Sequence, residues 1–463
     1  MTKFYDNLEL INLVNKLENV PNLTSLKVNG FFVWPILRIS ICFDLISKRY
    51  DPNVFIKKKS KKSQLSKIIS FFNFFKMKYK IDLLNVTHDI YLNKIGNTVY
   101  DRVHFGDEFK KKNSSKIKRL NLANYTIRDI KNNSEVFDFS ILIPFFKIVS
   151  IPYTLILLIK NYHLIYYLFV VNKTLKKNKF NAQPNLLKIP LKISYTSLLS
   201  KFIAYLIKRT GIKKIHHANY YSLESMAITL AAKRRTVDVI NFQHGVQSED
   251  HPAFSSWKNI PPDGYELLPT QFLCWDTDSF NNMNEFFKNN ASHSVKLSNY
   301  DWVDAWKNQE ISFDFRDLVL LSKNKFNVLI TLQPSIIGLQ EVLKNCINKS
   351  SKDVKWWIRL HPRQNNISTA KDIKKSIVDK IDNVNIDYAT SCPLPALLSI
   401  TDLHITAYSS SIFEASYFKV PTILTHRIGQ NRYGPDLGIL NAIFCEKEER
   451  IISEIEKEIG NRF

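Results

Sequence analysis

A chain of 463 residues has room for two domains, and with 45% apolar and 13% aromatic residues it can build a core in each. The 65 basic and 42 acidic residues leave a net charge of +23, which favours an anionic partner (nucleic acid, an acidic membrane surface or phosphorylated substrates) or else reflects a bias towards lysine at the surface. Only 11 glycines, no Walker sequence and no G-x-G-x-x-G argue against a glycine-rich phosphate loop.

Residues 1–22 alternate charge and lack a cleavable apolar core, so no secretory signal is expected. Residues 57–80 hold nine lysines, no acid and the run Phe71-Phe72-Asn73-Phe74-Phe75. A basic segment with interleaved aromatics suits an anionic lipid surface, or else a solvated loop leading into an amphipathic helix. Residues 141–171 are the most apolar stretch. Lys147 and Lys160-Asn161 divide it into uncharged runs of about twelve residues, short of the ~20 that span a bilayer, and Pro144 and Pro152 interrupt it. Core helices or contact with a membrane surface are expected there, not a transmembrane anchor.

From 213 the pattern becomes regular. A strand at 213–218, a helix opening at Ser222 and ending in Lys233-Arg234-Arg235, and a strand at 237–242 make one β-α-β unit. It ends at Gln243-His244-Gly245. Residues 272–275 are a further short strand. Residues 281–325 are polar and read as linker plus helix. Beyond them strands at 326–331, 355–360, 384–387, 403–407 and 420–425 alternate with helices at about 338–349, 368–380, 393–400 and 411–418. Such alternation implies a parallel sheet covered on both faces.

Ligands of open α/β sheets sit at the carboxyl ends of strands, and two strand ends here are chemically rich. One is Arg359-Leu360-His361-Pro362-Arg363, where the proline keeps His361 out of a helix. Imidazole and guanidinium suit a departing phosphate. The other is Ser409-Ser410-Ser411-Ile412-Phe413-Glu414. It fits a capping box with Ser411 as N-cap and Glu414 at N3, and its hydroxyls and helix N-terminus could hold phosphate. At the earlier strand end His244 is a candidate general base, with Gly245 allowing a sharp turn or close approach. Gln243, Glu249, Asp250, His251 and Asp263 are further candidates, and spacing does not choose among them. No metal-ligand spacing is present, and His216-His217 alone do not make one. No nucleic-acid-binding motif accompanies the charge, so nucleic acid is not the expected partner. The five cysteines are scattered, odd in number and free of C-x-x-C, as buried thiols in a reducing cytoplasm would be.

Arg359-Leu360-His361-Pro362, the run from Asp402 to Ala415 and Val420-Pro421-Thr422-Ile423 together resemble the donor half of GT-B transferases of bacterial surface polysaccharides. The resemblance is to the capsule, lipopolysaccharide and teichoic-acid enzymes with cytidine-activated donors: CMP-Kdo and CMP-sialic acid transferases and CDP-glycerol glycerophosphotransferases. Gln243-His244-Gly245 is similar to the aromatic-His-Gly of the last group. Two departures are Ala407, where teichoic-acid enzymes carry Asp, and Asp263-Gly264, which only approximates the acidic pair of sialyltransferases.

The resemblance implies an α/β GT-B architecture: two Rossmann-like domains with parallel sheets facing a central cleft. Residues 1–280 would be the acceptor side, 281–325 a linker and 326–463 the nucleotide-donor domain. It implies that His361 and Ser409–Ser411 hold donor phosphate and that Glu414 meets the ribose. The expected activity is metal- and cofactor-independent sugar transfer from a nucleotide-sugar to a lipid-linked or oligosaccharide acceptor, at the cytoplasmic face of a bacterial membrane. A polyol-phosphate transferase is the alternative within enzymes. A non-catalytic, basic membrane- or RNA-binding protein on the same scaffold is the alternative outside them.

Overall fold

In a computed structural model of the chain, residues 7–47, 81–88, 91–106, 117–121, 136–138, 142–178, 184–333, 339–361, 367–376 and 382–462 are described. They fall into two units. Tyr300 closes the first and Asp301 opens the second, with 93–99 grouped with the second. The basic segment 57–80, Pro362 and Arg363 lie outside the described residues.

The first unit opens with α1 (Asn7–Glu18) and α2 (Trp34–Ser47). Its sheet has seven strands: β1 (Leu83–Thr87), β2 (Ile117–Asn121), β3 (Val136–Asp138), β4 (Lys214–His217), β5 (Asp238–Phe242), β6 (Gln271–Cys274) and β7 (Ser294–Leu297). The order is β7-β6-β5-β4-β1-β2-β3 and every pair is parallel. All five residues of β1 are buried, as suits a central strand covered on both faces. Helices α3 (Leu142–Lys160), α4 (His163–Lys177) and α5 (Ile189–Thr210) fill the stretch between β3 and β4. Helix α6 (Leu223–Lys233) joins β4 to β5. Ser222 caps it, accepting from Ser225 N at 3.0 Å, which is the β-α-β unit read from the sequence.

The stretch read as linker is structured. It holds the rest of α7 (Thr277–Phe287), the edge strand β7, and then α8 (Asp301–Lys307) and α9 (Arg316–Ser322) of the second unit. Its polar composition belongs to exposed faces: in β7 only Val295 is buried.

The second unit continues with β8 (Phe326–Thr331), α10 (Glu341–Lys349), β9 (Val354–Arg359), α11 (Ile367–Ser376), β10 (Val384–Asn385), α12 (Asp387–Ser391), α13 (Leu394–Leu398), β11 (Leu403–Thr406), α14 (Ser411–Tyr417), β12 (Thr422–Leu424), α15 (Arg427–Tyr433), β13 (Ala442–Phe444) and α16 (Glu448–Arg462). Its six strands are again all parallel, in the order β10-β9-β8-β11-β12-β13. Numbered within its own unit, each sheet reads 3-2-1-4-5-6, the doubly wound order, and the first adds a seventh strand. The expected α/β class and pair of Rossmann-like units are therefore present. The strand order reverses between β1 and β4, and between β8 and β11. Those are the positions where such sheets open a crevice for ligands.

The apolar stretch 141–171 departs from expectation. Helix α3 runs unbroken through Pro152, and Pro144 lies in its first turn, where no backbone donor is needed. It is not a core helix: only 28% of its most apolar window is buried.

Candidate functional site

In the second unit the register sets Thr331 beside both Arg359 and Thr406, so β8, β9 and β11 end together. Across the reversal Thr406 Oγ1 donates to Thr331 O at 2.9 Å. Behind it His404 lies fully buried, with Nε2 3.0 Å from Thr331 Oγ1 and Nδ1 3.1 Å from Thr422 Oγ1. Burial pushes its pKa down to about 3, so it is a neutral internal brace.

That brace corrects the reading of the three serines. Helix α14 starts at Ser411, and its N-cap is Ser410, with helical backbone and no side-chain cap bond. Ser411 Oγ is drawn inward instead, 2.9 Å from Thr331 Oγ1 and 3.3 Å from His404 Nε2. Ser411 therefore does not cap the helix or face a ligand. Ser409 Oγ accepts from Ser411 N at 3.2 Å. Ser409 is half-buried, Ser410 is exposed, and Glu414 is buried one turn into α14.

Arg359 also has internal work. Its Nη1 donates to Ala389 O at 2.6 Å and to Cys392 O, closing the carbonyl end of α12. His361 stands half-buried just past β9, after Leu360, whose N donates to Thr390 Oγ1 at 3.2 Å. On the other side of β11, His426 caps α15 through Nδ1, which accepts from Ile428 N at 3.1 Å. Its ring lies 5.7 Å from that of Tyr408.

Sequence reasoning missed Gln333. It follows β8 at the reversal point and is buried, and its Nε2 has no hydrogen-bond partner among the described residues. A buried amide donor without an acceptor is costly, so Gln333 Nε2 is placed to donate to a ligand or an ordered water.

The first unit gathers histidines at the same sheet end. His88 follows β1, His217 ends β4 and His244 follows β5. Rings of Tyr91, Tyr221 and Phe254 surround His244 at centroid distances of 5.2, 6.2 and 6.4 Å. Burial, then the charges of His251 and Arg102, hold its pKa down to about 3, against a hydrogen bond with the Ala218 backbone. Among the described residues its Nδ1 is buried without a partner, as are Thr87 Oγ1, His88 Nε2, Arg102 Nε and His217 Nδ1. Five such atoms stand near this end of the sheet, and buried polar groups of this kind ordinarily meet a ligand or ordered water.

The other candidates separate. Gln243 is spent: its Nε2 donates to Gly245 O and Ser279 Oγ, each at 3.0 Å, and to Asp276 Oδ2, while Oε1 accepts from Trp275 N at 2.8 Å. It locks the end of β5 to the start of α7. Gly245 has no left-handed backbone, and a Cβ there would meet open space, so neither reason given for a glycine applies. Glu249 is exposed, and Asp250 accepts from Ser248 Oγ. Asp263 lies at the wrong end of the sheet. It is exposed, and its carbonyl accepts from Ser292 Oγ at 2.8 Å just before β7 begins. Gly264 serves a turn there: its φ is +68°, and a Cβ would fall 2.4 Å from His293 Nε2. Among the described residues no group of three or more His, Cys, Asp and Glu is placed to hold a metal ion.

No family model matches the chain. No curated protein matches it in sequence. Solved structures do resemble it. A UDP-GlcNAc 2-epimerase from Neisseria meningitidis bound to UDP-GlcNAc is 13% identical over 82% of this chain and 92% of that one, with a TM-score of 0.45. A UDP-GlcNAc 2-epimerase from Methanocaldococcus jannaschii is 15% identical over 81% and 92%, with a TM-score of 0.45. The wall teichoic acid polymerase TagF is 15% identical over 54% and 65%, with a TM-score of 0.38.

Some of the missed residues carry a readable signal. Leu83-Leu84-Asn85-Val86-Thr87-His88 is an apolar run ending in polar residues, the same pattern that marked His361. Gln333 carries none, because its importance comes from the strand order.

Proposed function

We propose that this chain is a glycosyltransferase that moves a sugar from a nucleotide-activated donor to a growing bacterial surface glycan. The observation that carries the reading is the reversal point of the second sheet. There Gln333 Nε2, without a partner among the described residues, and His361, Ser409 and Ser410 stand on adjoining strand ends, where a doubly wound sheet receives a nucleotide phosphate. Arg359 and Ser411 are left out of the ligand set because their polar groups hold the fold. The cytidine class of donor follows from the resemblance of the His361-Pro362 and serine segments.

In the transfer an acceptor hydroxyl forms the new bond to the sugar carbon. The bond from that carbon to the phosphate oxygen breaks, and the nucleotide leaves with its electron pair. Hydrogen-bond donors from His361, Gln333 and the serines would stabilise the charge that develops on the phosphate. His244 would take the acceptor's proton. It is neutral at physiological pH, and its Nδ1 has no competing partner among the described residues. With a pKa near that of a carboxylate, it accepts the proton only once the hydroxyl has been acidified by bond formation.

A polyol-phosphate transferase is the second reading, favoured by His244 standing at a strand end within Gln243-His244-Gly245. It uses the same base, but the hydroxyl attacks phosphorus and CMP departs. The test is thermal melting with CMP, CDP, UMP and UDP, followed by turnover with CMP-sugars and CDP-glycerol. A cytidine nucleotide at a hundred times its Kd should add about 2.7 kcal/mol of stability. His361→Ala should melt normally alone, lose that shift and lose most turnover. No shift with any nucleotide would overturn the proposal in favour of a non-catalytic basic binding protein, and full activity in His361→Ala would remove that residue's role.

A further inference from the structure

Helices α3 and α4 show the solvent a face as apolar as the one they bury. Along α3, Phe146, Ser150 and Leu157 are buried, and α3 packs against α5. Ile148, Leu155 and Ile159 on the opposite side are 67%, 65% and 79% exposed. Helix α4 carries a second such face with Tyr162, Ile165 and Phe169, all more than half exposed. These positions recur at helical spacing, so they form one stripe on each helix. Scattered exposed leucines need no explanation, but apolar stripes on two consecutive helices mark an interaction surface.

The charges around the stripe identify what it meets. Residues 142–178 contain five lysines and no Asp or Glu. Lys147 and Lys160 lie on the exposed side of α3, and Lys173, Lys176 and Lys177 end α4; all five are exposed. A second copy of this chain would bring the same five cations against them, which repels. Anionic lipid headgroups complement them, and tyrosine at the junction of the helices suits the interface.

The geometry also says how the bilayer is met. With 19 residues and a mean hydropathy of 2.1, α3 is long and apolar enough to cross a membrane. Its inner face is nevertheless held by the protein: Phe146 and Leu157 are in the core, and Asn29 Nδ2 donates to Tyr153 Oη at 3.2 Å. A spanning helix would have to give these up. We propose that α3 and α4 form an in-plane docking surface for an anionic bilayer, with the apolar stripe sunk to the acyl boundary and the lysines on the phosphates. This surface goes beyond the catalytic reading and does not depend on it.

The test is flotation of the full chain with phosphatidylcholine vesicles, with and without phosphatidylglycerol. Wild type should float with the anionic vesicles and resist a high-salt wash but not an alkaline carbonate wash. Ile148→Glu/Leu155→Glu/Ile159→Glu should keep the wild-type circular dichroism and melting, since the changed side chains are exposed, and lose binding about tenfold or more. Lys173→Glu/Lys176→Glu/Lys177→Glu should weaken binding to anionic vesicles only. Deletion of 57–80 should leave substantial binding in place. The proposal is overturned if wild type stays in the aqueous fraction, if the triple glutamate variant floats like wild type, or if binding survives carbonate. It is equally overturned if sedimentation shows a lipid-free dimer that the glutamates abolish.

Discussion

Arg38 lies wholly buried in α2, and its guanidinium serves four acceptors. It donates to Glu18 Oε1 at 2.7 Å, Pro252 O at 2.9 Å, Ser256 O at 2.8 Å and Ser255 O. It also sits 4.2 Å from the centre of the Trp257 ring. Trp34 Nε1 and Lys258 N complete the Glu18 carboxylate, each at 3.0 Å. The result is to pin the loop that carries His251 and Phe254, two of the groups around His244. Arg38→Met would leave Glu18 as a buried charge without its cation, at a cost of about 3–5 kcal/mol. Urea unfolding should show that loss, and Glu18→Gln/Arg38→Met should recover part of it. Lysine should not substitute, because an ammonium cannot reproduce the planar fork.

Among elements, α15 seats on the end of β11 only because Gly429 has no side chain. A Cβ there would lie 2.3 Å from the Ala407 carbonyl oxygen. Gly429→Ala should force the helix away and cost about 1–3 kcal/mol, measured as a lowered melting temperature. Nucleotide-induced stabilisation should fall with it, since Ala407 leads directly into Tyr408 and Ser409. Gly438→Ala, which meets open space, is the matched control. The elements from 326 to 425 were largely readable because their strands are apolar runs between polar-faced helices; all six residues of β8 are buried. The β4-α6-β5 unit was readable for the same reason. Strand β1 is just as apolar, yet its partner β4 comes only at Lys214, and nothing local announces that pairing. The last strand and helix, β13 and α16, were not read at all. The site was less legible than the fold. His361 and the serines drew attention by composition, but Ser411 was shifted by one helical position because its hydroxyl pairs with Thr331 and His404, which no neighbour in sequence reveals.

Across the whole molecule, histidines are kept neutral by burial in both units. His217 and His244 are pushed down to about 3 and His293 to about 4 in the first, and His404 to about 3 in the second. Unfolded histidines bind protons near 6.5, while these folded ones do not until pH 3–4. Between those limits the unfolded chain holds more protons, so stability must fall as pH drops from about 6.5 towards 3 and should be nearly flat just above it. Melting temperatures across that range should show this slope. His404→Gln should make it shallower by up to one proton, even though it destabilises the protein at neutral pH.

The parallel pairing of β1 with β4 also has a kinetic consequence. During synthesis β1 emerges with one edge unpaired, and α3, α4 and α5 must follow before Lys214 arrives to close it. At about 5–20 residues per second that interval is on the order of ten seconds. Throughout it the nascent chain displays both an open strand edge and the apolar helix α3. On the docking proposed above, a lipid surface near the ribosome would meet α3 before the first sheet closes, and attachment would then precede folding of that unit.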